Sequence, residues 1–392
     1  MNDSQPSLIR PSVATLFFCF LRLGLTAFGG PAMVAYIREM AISKEKWLTP
    51  EGFKQGVAIC QTIPGATAMQ VAAYVGLRAH GAWGAIAAYI GFGLPAFVLM
   101  LLLTALYQQS RDLTGVMSIF NGLQVVVVAL VAHATLHFGR TTIRDWRDAI
   151  LGLAVAGYLF LGGNPVLAIG AAAVLGSFLF RTRGAVADPM PQPHPWSFAA
   201  LFPALLIFTV LILGLALLFV FDRHLATLAL MMAKIDLFAF GGGYGSVPLM
   251  FNEVVIAKQW MTSQTFMDGI ALGQVTPGPI VITATFVGFL QAGLPGALVA
   301  TVAIFTPSLL ILTAAVPTFD RIRHNHTFQW AMHGVLVSFT GLLLSVSLRF
   351  GMAISWDIIR VLIIIIALLA LWRKINILWI VLAGTLVSVA VL

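Results

Sequence analysis

The stretch LRLGLTAFGGPAMVAYI, residues 21–37, lies inside a long apolar run, yet it carries a charge, Arg22, and a helix-breaking cluster, Gly29-Gly30-Pro31. A helix facing lipid tolerates neither. A charge at the centre of a bilayer costs from about 2.5 kcal/mol upward. Broken backbone at that depth survives only where protein or a water-filled cavity satisfies its polar groups. The stretch therefore reads as a membrane segment interrupted near its middle and turned toward the inside of a larger bundle.

The same wording occurs twice. ATLFFCFLRLGLTAFGG (14–30) aligns without a gap with ATLALMMAKIDLFAFGG (226–242), so Arg22 matches Lys234. WLTPEGFKQGVAICQTIPGA (47–66) aligns with WMTSQTFMDGIALGQVTPGP (260–279), with eight identities in twenty positions, and Asn164 falls in register with Asn376. The chain is an internal repeat: residues 1–180, a linker with one extra segment at 181–224, and residues 225–392.

Composition sets these repeats in a membrane. Of 392 residues 60% are hydrophobic and 9% charged, against about 25% charged in soluble domains. Apolar segments are expected at 12–36, 55–77, 82–107, 115–138, 149–162, 164–180, 198–221, 225–251, 266–290, 294–318, 328–349, 356–371 and 375–391. Most are long enough for a hydrocarbon core of about 30 Å. The pairs 149–162/164–180 and 356–371/375–391 are short for full crossings. The fold class is an all-α polytopic membrane protein with 12–13 segments, several of them broken. The polar first ten residues, followed by an apolar run that enters a repeated motif, argue against a cleaved signal peptide.

One unmatched segment, 198–221, between two six-segment halves places the halves in opposite orientations, the inverted repeat of many secondary transporters. With thirteen crossings and a cytoplasmic N-terminus, twelve basic residues fall inside and eight outside, which favours N-in, C-out. The loop 38–54 fits badly, since it puts Arg38, Lys44, Lys46 and Lys54 outside. The net charge of +8 comes from singly scattered residues, so no nucleic-acid partner is expected. Cys19 and Cys60 lie in apolar segments and read as packing residues rather than a disulfide or metal pair.

The chemistry is expected at the breaks. Phe28-Gly29-Gly30-Pro31 and Phe240-Gly241-Gly242-Gly243 interrupt one segment in each half, and Pro64-Gly65 and Thr276-Pro277-Gly278-Pro279 interrupt the next. Proline suits the first turn of a new half-helix. Such a half-helix starts with free N–H groups at the positive end of its dipole, a site for anions. Arg22 and Lys234 lie too deep for easy snorkelling to the interface, and two positive charges suit a dianion. Gln61 and Gln274 precede Pro64 and Pro277 by three residues, and with Thr62 and Thr276 they offer amide and hydroxyl donors. Asp236 can pair with Lys234 or carry a proton, but its counterpart is Gly24. Trp47 and Trp260 read as interfacial anchors, and Asp268 and Glu253 as residues near an interface. No Walker A sequence, dinucleotide fingerprint, nucleophile elbow or trusted histidine spacing is present, so neither an enzyme nor a cofactor or metal site is expected.

A basic residue before FGG, the W-x-T…F…G-x-A…Q…P-G block and the duplication of both resemble the chromate ion transporter family in its long, two-domain form. The resemblance covers essentially the whole chain. It implies a carrier of the cell inner membrane that exports chromate and is linked to sulfate, a dianion of similar size. It also implies that the residues named at the breaks bind substrate, with Ala66 departing from the Pro279 of the second copy. The partners implied are a chromate- or sulfate-like dianion and the lipid bilayer, with a homodimer left open beside a monomer. A sulfate importer and an anion channel are the alternatives.

Overall fold

The computed structural model describes residues 10–28, 31–181, 202–317 and 325–391. The described chain is helical throughout, without a strand. The first half holds α1 (Val13–Thr26), α2 (Pro31–Arg38), α3 (Pro50–Thr62), α4 (Thr67–Ser110), α5 (Thr114–Thr142), α6 (Trp146–Phe160) and α7 (Pro165–Leu179). Then come α8 (Phe202–Phe221), α9 (Arg223–Phe238), α10 (Gly243–Phe251), α11 (Ser263–Val275) and α12 (Thr283–Ala315). The chain ends with α13 (His326–Ala353), α14 (Ile358–Trp372) and α15 (Ile377–Val391). Among the described residues, five helices are long and apolar enough to cross a membrane, as in a multi-pass membrane protein.

The repeat extends to backbone detail. π turns follow α2 at Glu39–Lys44 and α10 at Asn252–Ala257. Each leads to a left-handed residue, Lys46 and Gln259, both at φ 53°. Within α4, His80 (φ −147°, ψ 27°) and Gly81 (φ 64°, ψ −152°) leave helical geometry. Ala292 (φ −150°, ψ 28°) and Gly293 (φ 60°, ψ −146°) do the same within α12. These are reversals rather than bends: Gly76 abuts the Gly84 carbonyl, and Gly288 abuts that of Gly296. In a straight helix such pairs stand about 12 Å apart.

The breaks lead somewhere the apolar pattern does not show. The sequence expects 12–36, 55–77, 225–251 and 266–290 to cross; in the structure each folds back to the end it started from. Trp47, after α2, packs on Phe20 of α1 with ring centroids 6.4 Å apart. Tyr74 of α4 donates to the Gly52 carbonyl of α3 at 3.0 Å, and His80 lies 3.0 Å from the Pro11 carbonyl. In the second half, Lys234 of α9 reaches Glu253 at 2.6 Å. A continuous helix would separate those two by about 28 Å. His224 packs against Trp260 at 5.3 Å, and Gln291 donates to the Trp260 carbonyl at 3.4 Å. Two re-entrant hairpins therefore enter from the α1 end and two from the opposite end. Outside the hairpins lie the long apolar helices α5, α8, α13 and the second limbs of α4 and α12, together with the shorter α6, α7, α14 and α15. Trp47 and Trp260, read as anchors in an aromatic belt, instead hold the hairpins to their first limbs.

This resolves the misfit in the charge pattern. Arg38, Lys44, Lys46 and Lys54 now lie at the α1 end with Arg10 and Arg78, while Lys258 joins Arg111, Arg223, Arg349 and Arg360 at the other. The positive-inside asymmetry is stronger than thirteen plain crossings allow. In a background lacking Cys19 and Cys60, Lys44→Cys and Lys258→Cys should react with an impermeant maleimide from opposite sides of the membrane. Reaction of both from one side is the result that sinks the inverted arrangement.

The halves are interleaved. The α6–α7 pair packs on α13 of the second half, and α14 and α15 pack on α5 of the first. Small residues allow the close approach: Gly176 meets Gly334, Gly152 meets Gly341, and Gly122 meets Ser388. Helices α6, α7, α14 and α15 have 15 residues each, about 22 Å of helix, so the bilayer must thin around them. Arg349, near the end of α13, donates to the Phe160 carbonyl at 2.7 Å, and Arg147 donates to that of Leu179 at 3.2 Å. The two contacts pin the α6–α7 hairpin at opposite ends.

Candidate functional site

The four breaks meet, and they meet crosswise. The Gly65 amide donates to the Ala239 carbonyl at 2.8 Å, and the Gly278 amide donates to the Ala27 carbonyl at 3.2 Å. The second break of each half is thus hydrogen-bonded to the first break of the other. Gly65 and Gly278 adopt φ of 111° and 118°, a region open mainly to glycine. The position of a Cβ on Gly278 lies 2.8 Å from Ala96, and one on Gly65 would overlap Ser308. Gly29 and Gly30 lie outside the described residues, but flanking Ala27 takes part in the crossing.

Three helix starts point into this junction. Thr67 Oγ1 lies 3.2 Å from where a Cβ of Gly242 would stand, and Ile280 Cγ2 lies 3.1 Å from that of Gly243. The starts of α4, of α10 and of the short 3₁₀ turn Ile280–Ile282 are therefore neighbours. None has a side-chain cap: the residues before them are Ala66, Gly242 and Pro279. By contrast, α1, α3, α6, α7, α9, α11, α13 and α14 are capped by Ser12, Thr49, Asp145, Asn164, Asp222, Thr262, Asn325 and Asp357. Among the described residues, α5 and α12 also lack a side-chain cap; they follow a turn at Leu113 and the 3₁₀ turn ending at Ile282. Uncapped N–H groups in a protein interior are costly, and converging ones form a positive locus for oxyanion oxygens.

The side chains named from the sequence divide. Phe28 and Phe240 flank the crossing, half-buried, and Pro64, Pro277 and Pro279 are buried in it. Phe240 packs on Phe339 at 6.3 Å, and Gly241 abuts Phe138 of α5. Pro31 begins α2. Gln274 reaches the Tyr244 hydroxyl at 3.5 Å, whereas Gln61 is exposed. Thr276 and Thr62 donate to Gly273 and Ile59 carbonyls within their own helices, so both hydroxyl protons are already engaged.

The two cations are not equivalent. Lys234 pairs with Glu253 rather than with Asp236. The residue in register with Glu253 is Met40, so Arg22 has no acidic partner at the matching place; it stands exposed on α1. Of the pair expected to hold a dianion, one charge is neutralised within its own hairpin and one is unmatched.

Other groups at the junction carry weak sequence signals. Asp236 is buried and accepts the Ser308 amide at 2.7 Å. Tyr89 donates to the Phe305 carbonyl at 2.8 Å and lies 3.2 Å from the Ser308 hydroxyl. Gln70, also buried, donates to the Pro64 carbonyl. Asp236 and Ser308 match Gly24 and Ala96 in the other half, so symmetry hides them. Pro307 inside α12 is the one local mark, since proline disturbs the helix that presents Ser308. Asp268, in the first half of α11, is buried and bonded to Tyr107 and Gln124 at 2.8 Å each.

The hairpins also differ in docking. In the second half α10 packs on α13, and α11 packs on α5 and α15. The corresponding α2 and α3 make no comparable contact with α5, α13 or α7 among the described residues. One hairpin pair is closed onto the bundle and the other stands off it, on the side where Arg22 and Gln61 are exposed.

The family described as "Chromate transporter" matches residues 14–177 and again residues 226–389. An uncharacterized transporter of Methanocaldococcus jannaschii is 43% identical over 100% of this chain and 97% of its own length. The chromate transport protein of Pseudomonas aeruginosa is 31% identical over 87% of this chain and 82% of its own. That of Cupriavidus metallidurans is 31% identical over 78% and 74%. No solved structure matches the chain.

Proposed function

The chain belongs to the chromate transporter family, and on that premise we propose that it is a secondary carrier exporting chromate across the cell inner membrane. The observation that carries this reading is the meeting of uncapped helix starts at a hydrogen-bonded crossing of all four breaks. Such a locus offers N–H donors and dipole ends to a tetrahedral oxyanion without a fixed counter-charge. Arg22 supplies the full positive charge, and Gln61 and Gln274 supply amide donors beside it. Lys234 acts through Glu253, holding the second-half hairpin in shape.

Unequal docking of the two hairpin pairs supports a carrier over a channel. In an inverted repeat, exchanging the conformations of the two halves moves the opening from one end to the other around a fixed site. On this reading the opening is at the α1 end, where α2 and α3 stand off the bundle, and the excess of basic residues there favours the cytoplasmic side. Moving a charge through 100 mV is worth about 2.3 kcal/mol. A dianion leaving a negative interior therefore gains about 4.6 kcal/mol, enough for a concentration ratio of a few thousand.

Inside-out vesicles containing the protein should accumulate radiolabelled chromate when the lumen is made positive, and unlabelled sulfate should compete. Saturable uptake that collapses with the potential is the expected result. Linear, non-saturating flux would establish a channel. Sulfate moved inward in right-side-out vesicles, with chromate ignored, would establish an importer instead.

A further inference from the structure

An inverted repeat makes every contact twice, so its exceptions are informative. The crossing has two equivalent junctions. Where Gly278 meets Ala27, the residues corresponding to Asp236 and Ser308 are Gly24 and Ala96, and those corresponding to Tyr89 and Gln70 are Thr301 and Thr283, so this junction has hydroxyls but no carboxyl. Where Gly65 meets Ala239, the same positions bring a carboxyl and a hydroxyl together, with Tyr89 and Gln70 beside them. A carboxyl was placed in one junction only.

That polar junction is incomplete as an electrostatic unit. Asp236 is 1% exposed and Gln70 fully buried. Asp236 Oδ1 and Gln70 Oε1 are both buried acceptors without a donor. A buried carboxylate needs a cation or several donors to offset lost hydration. The helices packed on Asp236 supply donors from Ser308 alone, no cation, and none for Oδ1. Helices α8 and α12 contain no ionisable side chain. Helix α4 presents Tyr89, with Cys60 of α3 behind it; the ionisable side chain of α10 is Tyr244, which meets Gln274. On its own helix, Lys234 is engaged by Glu253.

We propose that Asp236 is the proton-binding site that couples this carrier to the pH gradient. The proposal rests on the transport reading above and adds its coupling ion. A proton on Oδ1 removes the buried charge and turns an orphan acceptor into a donor, while Oδ2 keeps the Ser308 amide. The proton is taken from water at one end of the cycle, forming the O–H bond, and returned to water at the other when that bond breaks. No other group need change. The position favours coupling: Asp236 lies three residues before Ala239, the carbonyl that receives Gly65. Its charge state therefore acts on the helix end that sets the substrate crossing.

The test uses the full chain in proteoliposomes with two independent readouts. Infrared difference spectra between acidic and alkaline buffer should show a protonated-carboxyl band that disappears in Asp236→Asn. That variant keeps an acceptor oxygen for the Ser308 amide but cannot ionise. Second, with the potential clamped at zero, a pH gradient should drive net movement of labelled chromate in the unmodified protein. In Asp236→Asn that movement should fall at least tenfold, while exchange of labelled for unlabelled chromate persists. Absence of the infrared band overturns the proposal, as does an Asp236→Asn protein that follows the pH gradient normally, or a sodium gradient that replaces it. If the band is present but chromate never moves, the proton site stands and the chromate reading fails. Asp236→Glu, which restores the carboxyl, should recover part of the gradient response, and a merely structural Asp236 would not separate exchange from gradient-driven transport.

Discussion

Arg22→Ala should reduce chromate transport at least about thirtyfold at unchanged expression. Arg22 is exposed here, so the magnitude applies to the state in which the first-half hairpins have closed over the anion: loss of one charge from such a desolvated contact costs about 2 kcal/mol or more, and each 1.4 kcal/mol is a factor of ten. Arg22→Lys should fall between, because the charge is kept and the planar fork is lost. The matched substitution at Lys234 should behave differently. Lys234→Ala leaves Glu253, whose side chain is 15% exposed, without its cation, so it should lower thermal stability in detergent as well as transport. The Lys234→Ala/Glu253→Ala double variant should recover stability, since the cost lies mainly in the unmatched partner. Flux assays and melting curves on the four variants read this directly. Near-normal export by Arg22→Ala would remove Arg22 from the substrate site. A double variant no better than Lys234→Ala would show that Glu253 is not what the lysine serves.

Much of this was legible in the chain because the repeat is spelled in identical words. FGG and P-G occur at matched places, and a helix cannot run through either, so the breaks and their convergence follow from residue chemistry. The direction in which the chain leaves a break does not. Val13–Thr26 and the continuous stretch from Pro31 to the end of the π turn at Lys44 are 14 residues each. Joined end to end they more than span a bilayer; folded together they make a hairpin about 21 Å deep, short of the core of about 30 Å, and apolar periodicity fits both. Only long-range contacts, Trp47 on Phe20 and Lys234 on Glu253, decide it. The awkward loop 38–54 was the clue in the charge pattern, since four basic residues on the wrong side meant a missing reversal. The junction chemistry was the least legible part. Reasoning from symmetry favours residues present twice, while Asp236, Ser308, Tyr89 and Gln70 matter because their counterparts are Gly24, Ala96, Thr301 and Thr283.

Gly65→Ala should be among the most damaging single-methyl additions in the molecule, and its failure should have two separable parts. The first is conformational. At φ 111° an L side chain costs roughly 1–3 kcal/mol. The second is steric. The new Cβ would occupy the space of the Ser308 Cβ, with Gln70 Nε2 2.9 Å away, and overpacking a filled site costs about 1–3 kcal/mol. Relaxing both means withdrawing the Gly65 amide from the Ala239 carbonyl, which opens the crossing and separates the helix starts at Thr67 and Gly243. Transport should be lost, and the melting temperature in detergent should drop by several degrees. Ser308→Gly in the same chain vacates the clash but leaves the φ penalty, so the double variant should regain stability in part and transport little. Gly278→Ala meets Ala96 at 2.8 Å in the junction that has no carboxyl. It should lower stability to a similar degree, yet leave the pH response of whatever transport survives intact, because no ionisable group lies there. A Gly65→Ala protein with normal melting and normal flux would mean that the first-half break need not hold the geometry on which the crossing depends.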